Sequence, residues 1–258
     1  MLTRTLAVLF LVFAANACWA NPLIATHPVY MTSEQLQVKL LNDAVEIDGR
    51  FHFRSLVKAG AKSGDPFVSA PVSLQVTIWV PWNQLEADAA TLEMLRALKA
   101  SEFNELNDSN RAAWDAAVGL KVSVGDLALK IRRAVLFDPL KKEDQKRIPA
   151  EWFRQGYYTI LVDTDFDPKL LAADPEIRIQ YRQGLRQSRA GAEFFYLPMF
   201  WGAPPDHTTR DLREFAMFLN NASARPASLG TVTVPIGCSI VLPLAHQEPI
   251  TIRLKATE

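Results

Sequence analysis

Short runs of alternating apolar residues recur along this chain and constrain its fold more than any other feature. In VSLQVTIWV, residues 72–80, every second residue from Val72 to Ile78 is apolar, as in a half-buried strand. Residues 157–166, YYTILVDTDF, are hydrophobic on both sides, which is typical of a strand covered on both faces. Two further runs, TVTVPIGCSIVL and PITIRLKA, close the chain. The pattern predicts a protein built mainly from β-strands.

Two of these runs contain a turn signal of the kind found in β-hairpins. Asp48-Gly49 lies between extended stretches in residues 44–53, and Gly125-Asp126 separates LKVSV from LALKI. Tight hairpin turns need residues that accept a positive φ, which glycine and aspartate do more readily than other residues. We therefore expect a hairpin at each position.

Other stretches have helical spacing. In residues 90–106 the leucines from Leu92 onward recur near the period of a helix, and a second helix is predicted around Trp114. A third is predicted after Asp174-Pro175 and a fourth from Thr208, because an N-cap residue precedes each apolar stripe. The predicted stripe of the fourth helix includes Phe215, Phe218 and Leu219.

Together these patterns predict a sheet-rich α+β fold. Antiparallel hairpins form a sandwich-like body, and helices are inserted in the middle of the chain and before the C-terminal strands. Residues 21–258 are expected to form a single domain, because they contain no Gly/Ser-rich or Pro-rich linker. Cys238, in an apolar strand-like run, is expected to be a small buried hydrophobe.

The N-terminus has the features of a secretory signal peptide. Arg4 precedes the apolar run Leu6–Ala15, which is too short for a membrane-spanning helix of about twenty residues. Cleavage after Ala20 would leave a periplasmic or secreted protein that begins at Asn21 and has no transmembrane helix. The alternative is a lipoprotein acylated at Cys18.

The balance of charges argues against nucleic acid as a partner. The chain has 28 basic and 28 acidic residues, and loss of Arg4 with the signal peptide would leave 27 − 28 = −1. A nearly neutral chain has no overall attraction to a polyanion, so any such contact would need a local patch.

Three acids in alternating positions form the first candidate site. Asp163, Asp165 and Asp167 are carboxylates of the type that bind Ca²⁺ or Mg²⁺. Pro168 occupies the position where a calcium loop needs glycine. We therefore favour a structural interpretation in which a strand ends at Asp163, Asp165 is solvated and Asp167 caps a helix that begins at Pro168. No cofactor is expected.

His207 forms a second candidate site. It follows an aromatic run, and an imidazole at the edge of a pocket can act as a base. With Asp163 and Asp165 it would make an Asp/His hydrolase site, with or without a divalent metal. The structural alternative is a helix start capped by Thr208 and Asp211.

Three arginines form a third candidate site, for ligand binding. Arg178, Arg182 and Arg186 recur at every fourth residue and would line one face of the predicted third helix. Such a ridge would suit the phosphate or carboxylate of an envelope polymer or lipid head group. The alternative is an ordinary solvated face.

The segment AEFFYLPMFWGAPP, residues 192–205, concentrates aromatic side chains. Phe194 to Leu197 are expected to be core residues of a strand that ends at Pro198. Phe200 and Trp201 would follow on a stiff loop, where aromatic side chains can stack on a carbohydrate or dock a partner.

The common enzyme motifs G-x-S-x-G, H-E-x-x-H, C-x-x-C and the phosphate-binding glycine loop are missing from the sequence. The favoured hypothesis is an exported, non-catalytic protein that binds a cell-envelope component or a protein partner. The alternative is an exported hydrolase using Asp163, Asp165 and His207.

Overall fold

The structure is a computed structural model, and it describes part of the 258-residue chain. The described residues are 23–25, 29–55, 72–86, 89, 92–93, 104–105, 119–146, 156–167, 169–170, 176–189, 191–196, 215–244 and 249–256.

Strands dominate the described part of the chain. In chain order they are β1 (Leu23–Ala25), β2 (Val29–Leu40), β3 (Ala44–Ser55), β4 (Val72–Pro81), β5 (Asn104–Glu105), β6 (Lys121–Val124), β7 (Leu127–Leu129), β8 (Ile131–Phe137), β9 (Tyr157–Phe166), β10 (Glu176–Gly184), β11 (Arg186–Ser188), β12 (Gly191–Tyr196), β13 (Phe215–Asn221), β14 (Ala227–Leu229), β15 (Val232–Val234), β16 (Ser239–Pro243) and β17 (Ile250–Lys255). Two short helices with defined ends accompany them, α1 (Trp82–Glu86) and α2 (Lys142–Gln145).

The largest sheet has seven strands in the order β16-β13-β2-β3-β10-β6-β7. Its strand pairs are antiparallel except for β13 and β2, which run parallel. The strands at its centre, β2 and β3, are twelve residues each and are joined by a tight connection at residues 41–43. The rest of the sheet extends from the two sides of this long hairpin, because β13 pairs with β2 and β10 pairs with β3.

Two five-stranded sheets accompany it, ordered β1-β4-β9-β8-β5 and β11-β12-β17-β14-β15. One connected hydrophobic core draws on all three sheets, with Leu36 from the seven-stranded sheet, Ile78 from the first five-stranded sheet and Phe194 from the second. Strand β9 is buried along nearly its whole length, as its two-sided hydrophobic sequence predicts. The sheet-rich, sandwich-like character predicted from sequence is therefore confirmed.

The prediction of an α+β fold with substantial inserted helices is wrong. The third predicted helix falls on β10 and β11, and the fourth falls in part on β13, where Phe215 and Leu219 are buried and Phe218 is exposed. A spacing of four residues is also twice the period of a strand, so it places side chains on one face in either structure. Residues 92–93 are helical, whereas most of 90–106 and the region around Trp114 lie outside the described residues.

The hairpin predicted at Asp48-Gly49 is also wrong, because β3 runs straight through both residues. Gly49 has an extended backbone, and the ring of Phe51 covers the space where its side chain would be. The hairpin at Gly125-Asp126 is confirmed, and Gly125 has the positive φ, 53°, that this turn requires.

Cys238 is exposed, which contradicts the prediction that it is a core residue. It follows the turn at residues 236–237, and the apolar run that contains it is divided between β15 and β16. Within the described ranges, the helices lack the length and apolar character needed to cross a membrane. The predicted signal peptide, residues 1–20 with Cys18, lies outside them.

A Gly49→Ala substitution tests whether β3 is continuous at this point. The added methyl group would lie 2.7 and 2.9 Å from two atoms of the Phe51 ring, so overpacking should cost about 1–3 kcal/mol of unfolding free energy. In a Phe51→Leu background the methyl has more room, and the cost should fall. Urea denaturation of the wild type, the two single variants and the double variant measures this coupling. A cost of Gly49→Ala that is the same in both backgrounds would contradict the packing of the Phe51 ring over Gly49.

Candidate functional site

The outer face of the seven-stranded sheet is mainly polar because buried and surface residues alternate along its central strands. In β2 the side chains of Leu36, Val38 and Leu40 are buried, whereas those of Gln35, Gln37 and Lys39 are exposed. The same alternation in β10 buries Ile177, Ile179 and Tyr181 and leaves the intervening residues at the surface. The hydrophobic side of the sheet therefore faces the core, and a broad polar side remains for solvent or a ligand.

The strand register aligns five of these surface residues in one line across the sheet. Phe218 of β13 pairs with Gln37 of β2, Gln37 with Asp48 of β3, Asp48 with Gln180 of β10, and Gln180 with Lys121 of β6. These five residues are called the central row.

A second line runs beside the first, two residues further along each strand. It consists of Asn220, Lys39, Glu46 and Arg182, which are also register neighbours. These four residues are called the flanking row.

Both rows line one open groove of about 720 Å³. A second concavity of about 570 Å³ shares Gly119, Lys121 and Gln180 with it and continues over β6 and β7. The first volume falls in the range of a small-molecule site, and its polar floor is suited to a hydrated ligand.

Ion pairs cross the strands in and beside this groove. The Arg178 guanidinium donates to both carboxylate oxygens of Asp48, at 2.8 and 2.5 Å. The Lys39 ammonium lies 3.2 Å from a Glu46 oxygen. Hydrogen bonding to Asp48 raises the pKa of the Arg178 guanidinium. Such pairs keep the side chains charged while cancelling much of their field.

The arginine ridge predicted from sequence lies on strands. Arg178 and Arg182 do share one exposed face, that of β10, and Arg182 lies 3.6 Å from an Asp43 oxygen. Arg186 is on β11 of another sheet, where its Nε donates to Glu193 at 2.6 Å and its guanidinium lies 5.8 Å from the Tyr157 ring centroid. The three arginines therefore do not form one surface.

An apolar patch borders the groove at one end. Phe218 is 41% exposed, and its register partner Val241 on edge strand β16 is 62% exposed. An aromatic ring in contact with both water and a polar groove is a natural platform for stacking. Phe218 thus starts the central row with a different chemistry from the amides and charges that follow.

The predicted acidic site is distributed along β9 and just beyond its end. Asp163 is buried, and its register neighbours are Gln75 of β4 and Arg133 of β8. Asp165 is half-buried and Asp167 exposed; Asp167 accepts a hydrogen bond from the Lys169 N–H at 2.9 Å. The predicted end of the strand at Asp163 is wrong, because β9 continues to Phe166, and Pro168, the predicted first residue of a helix, lies outside the described residues. In the part of the chain that the structure describes, no cluster of three or more His, Cys, Asp or Glu residues could hold a metal ion.

The structure describes the first part of the aromatic segment, residues 192–196. Phe194, Phe195 and Tyr196 are buried on β12, as predicted, and the Phe195 ring meets Trp79 edge-to-face at 5.4 Å. Leu197, Phe200, Trp201 and His207 lie outside the described residues.

Tyr196 donates a hydrogen bond to Glu34, and this pair joins β12 to β2 inside the core. Glu34 is 1% exposed, and burial raises its pKa to about 8. Its second carboxylate oxygen is buried without a hydrogen-bond partner among the described residues. At neutral pH this carboxyl group is therefore mostly protonated. Burial also raises the pKa of the Tyr196 hydroxyl.

Sequence reasoning missed both the groove and Glu34, although a signal was present. In SEQLQVKL, Glu34 stands at the same parity as Leu36, Val38 and Leu40, which places it on the buried face. Gln35, Gln37 and Lys39 stand at the opposite parity and mark the outer face.

Neither the models of known protein families nor curated protein sequences match this chain. The fold and the geometry of its surfaces are therefore the grounds for a function.

Glu34 should make the protein less stable as the pH rises. The unfolded chain releases this proton near its ordinary value, 4.5, whereas the folded protein keeps it up to about pH 8. Unfolding free energy should fall across this interval, by up to about 1.4 kcal/mol per pH unit from this group. Glu34→Gln keeps an acceptor for Tyr196 but cannot ionise. The unfolding free energy of the Glu34→Gln variant, minus that of the wild type, should therefore increase from pH 5 to pH 8.

Urea denaturation of both proteins at several pH values measures this difference. Parallel stability curves would contradict a buried protonated Glu34. A Tyr196→Phe variant is the control, because it retains the ionisable carboxyl and should keep the negative slope.

Proposed function

We propose that this chain is an exported, non-catalytic protein that binds a component of the cell envelope through the outer face of its seven-stranded sheet. The observation that supports this proposal is the groove of about 720 Å³, which is lined by both rows of polar side chains and by Phe218. Hydrogen bonds between the paired strands fix the backbone positions from which these side chains extend, whether or not a ligand is bound. A preorganised surface of this kind reduces the entropy lost on binding.

The chemistry of the groove favours binding over catalysis. Its described lining contains neither histidine nor cysteine, and Ser239 is its one hydroxyl-bearing side chain apart from the Tyr181 phenol. The acids Asp48 and Glu46 are engaged by Arg178 and Lys39. A nucleophile hydrogen-bonded to a base, which covalent catalysis needs, is not formed by these residues. Phe200 and Trp201 remain a second proposed contact with the same ligand.

A bulky substitution in the groove tests the proposal. Gln180 stands in the central row with its backbone in a ladder on both sides, so Gln180→Trp should fill the groove and leave the core intact. The full chain, expressed with its own N-terminal segment, is tested for retention on immobilised peptidoglycan, envelope polysaccharides and lipid vesicles. We expect retention on an envelope component, and at least about a tenfold loss of affinity in Gln180→Trp.

The matched control is Gln187→Trp, which adds the same ring at an exposed position on a different, five-stranded sheet. Equal retention of both variants and the wild type would show that the groove is not the binding surface. Retention on none of the components would overturn the proposal.

The proposed export predicts the mass of the purified protein. Expressed with its N-terminal segment in a bacterial host, the protein should be recovered outside the cytoplasm and begin at Asn21. Intact mass spectrometry measures this directly. A lipid-modified N-terminus at Cys18 would establish the alternative, a lipoprotein, and an uncleaved cytoplasmic chain would contradict export.

A further inference from the structure

We infer that the ligand of this groove is an uncharged glycan chain that lies across the strands along the central row. This inference rests on the proposed function and specifies the chemical class of its ligand. It is carried by three features of the groove: the pairing of its charges, the order of the side chains in the row, and the spacing of the strands.

The pairing of charges disfavours a polyanion. Three of the described bases in and beside the groove, Arg178, Lys39 and Arg182, lie within ion-pair distance of Asp48, Glu46 and Asp43 respectively. Lys121, at the end of the central row, makes no such pair with a described residue, so the groove keeps one exposed cation. A phosphate or uronate ligand would have to compete with these acids and would also be repelled by them. A ligand with hydroxyl groups can instead use the remaining lone pairs of the carboxylates, because a carboxylate accepts up to about four hydrogen bonds.

The order of side chains in the row matches the surface of a sugar chain. Phe218 offers an aromatic face to the apolar C–H face of a ring. Gln37 and Gln180 each carry two amide donors and an acceptor, and they flank Asp48. A sugar hydroxyl group is both a donor and an acceptor. It can therefore bind either the amide groups of Gln37 and Gln180 or the carboxylate of Asp48.

The spacing of the row fits an extended polymer. Its five residues stand on five adjacent strands, which are about 4.8 Å apart, so the row is about 19 Å long. This spacing is close to the repeat of an extended pyranose chain, and each strand can therefore present one side chain to one sugar. A peptide strand would gain less here, because the backbone groups of the inner strands are already used in the sheet's own ladders.

The experiment measures binding of the full chain to uncharged oligosaccharides of increasing length from glucan, mannan, galactan and N-acetylglucosamine series. An oligouronate and a polyphosphate serve as anionic probes. We expect one uncharged series to bind, with affinity rising up to about five sugars because the row spans about five strand positions. Affinity should change less than about twofold between roughly 0.05 and 0.5 M salt, since no net charge is neutralised.

Two single substitutions locate the ligand on the row. Phe218→Ala removes the stacking surface and Gln180→Ala removes an amide, and each should weaken glycan binding by about tenfold or somewhat less. Gln187→Ala removes an exposed glutamine elsewhere and should leave binding unchanged. Circular dichroism confirms that each variant is folded.

The outcomes separate this inference from the proposed function. An anionic probe could bind in a salt-sensitive way and lose its binding in Gln180→Trp. That result would support the groove as a binding site and overturn the inference that its ligand is an uncharged glycan. Capture of a peptide or protein ligand in the groove would do the same. Glycan binding that none of the row variants weakens would overturn the inference, because the ligand would then lie elsewhere. Binding of none of these probes, with retention of the chain on peptidoglycan or lipid vesicles, would overturn the inference and leave the proposed function standing. Retention on none of the envelope components would overturn both proposals.

Discussion

Burial of one side of the seven-stranded sheet is the constraint on which the rest of the structure depends. Leu36, Val38 and Leu40 lie on β2 with almost no exposed surface, and the two five-stranded sheets contribute to the same core. Each of these side chains contributes about 1.5–3 kcal/mol through its removal from water. Because a shift of one residue would turn all of them outward, the register is strongly determined. The same constraint places Gln37 and Lys39 on the outer face. The packing of the core therefore determines which side chains line the groove.

The contact between Glu34 and Tyr196 shows how a polar pair can be accommodated in that core. Each is buried, and each belongs to a different sheet, so the hydrogen bond ties the seven-stranded sheet to a five-stranded one. An ionised carboxylate at this depth would lose its hydration without a cation to replace it. Protonation avoids that cost, which is why the link between the sheets depends on pH. This pair is separate from the groove and acts on stability rather than on recognition.

The outer face carries most of its charges in pairs, and Lys121 at the end of the central row makes no ion pair with a described residue. Arg178 with Asp48 and Lys39 with Glu46 are cross-strand neighbours or near neighbours, and each pair holds two side chains in defined positions. Exposed pairs of this kind add little stability. They also reduce the attraction of the groove for anions while leaving carboxylate lone pairs free to accept hydrogen bonds. The predicted arginine ridge had the opposite implication, since unpaired arginines on a helix would favour phosphate or carboxylate.

The sequence by itself determined several of the strands and their faces. Alternation predicted β4, a run that is hydrophobic on both sides predicted β9, and the Gly125-Asp126 pair predicted a hairpin. The aromatic run also predicted the buried residues of β12. The sequence could not distinguish a helix from a strand where side chains recur every four residues, as in β10, nor could it show that Asp48-Gly49 continues a strand. Tertiary structure alone decided that Phe51 covers Gly49, which strands are neighbours and which residues form the central row. The physical reason is that periodicity is a local property of the chain, whereas register and strand order depend on contacts between residues far apart in sequence.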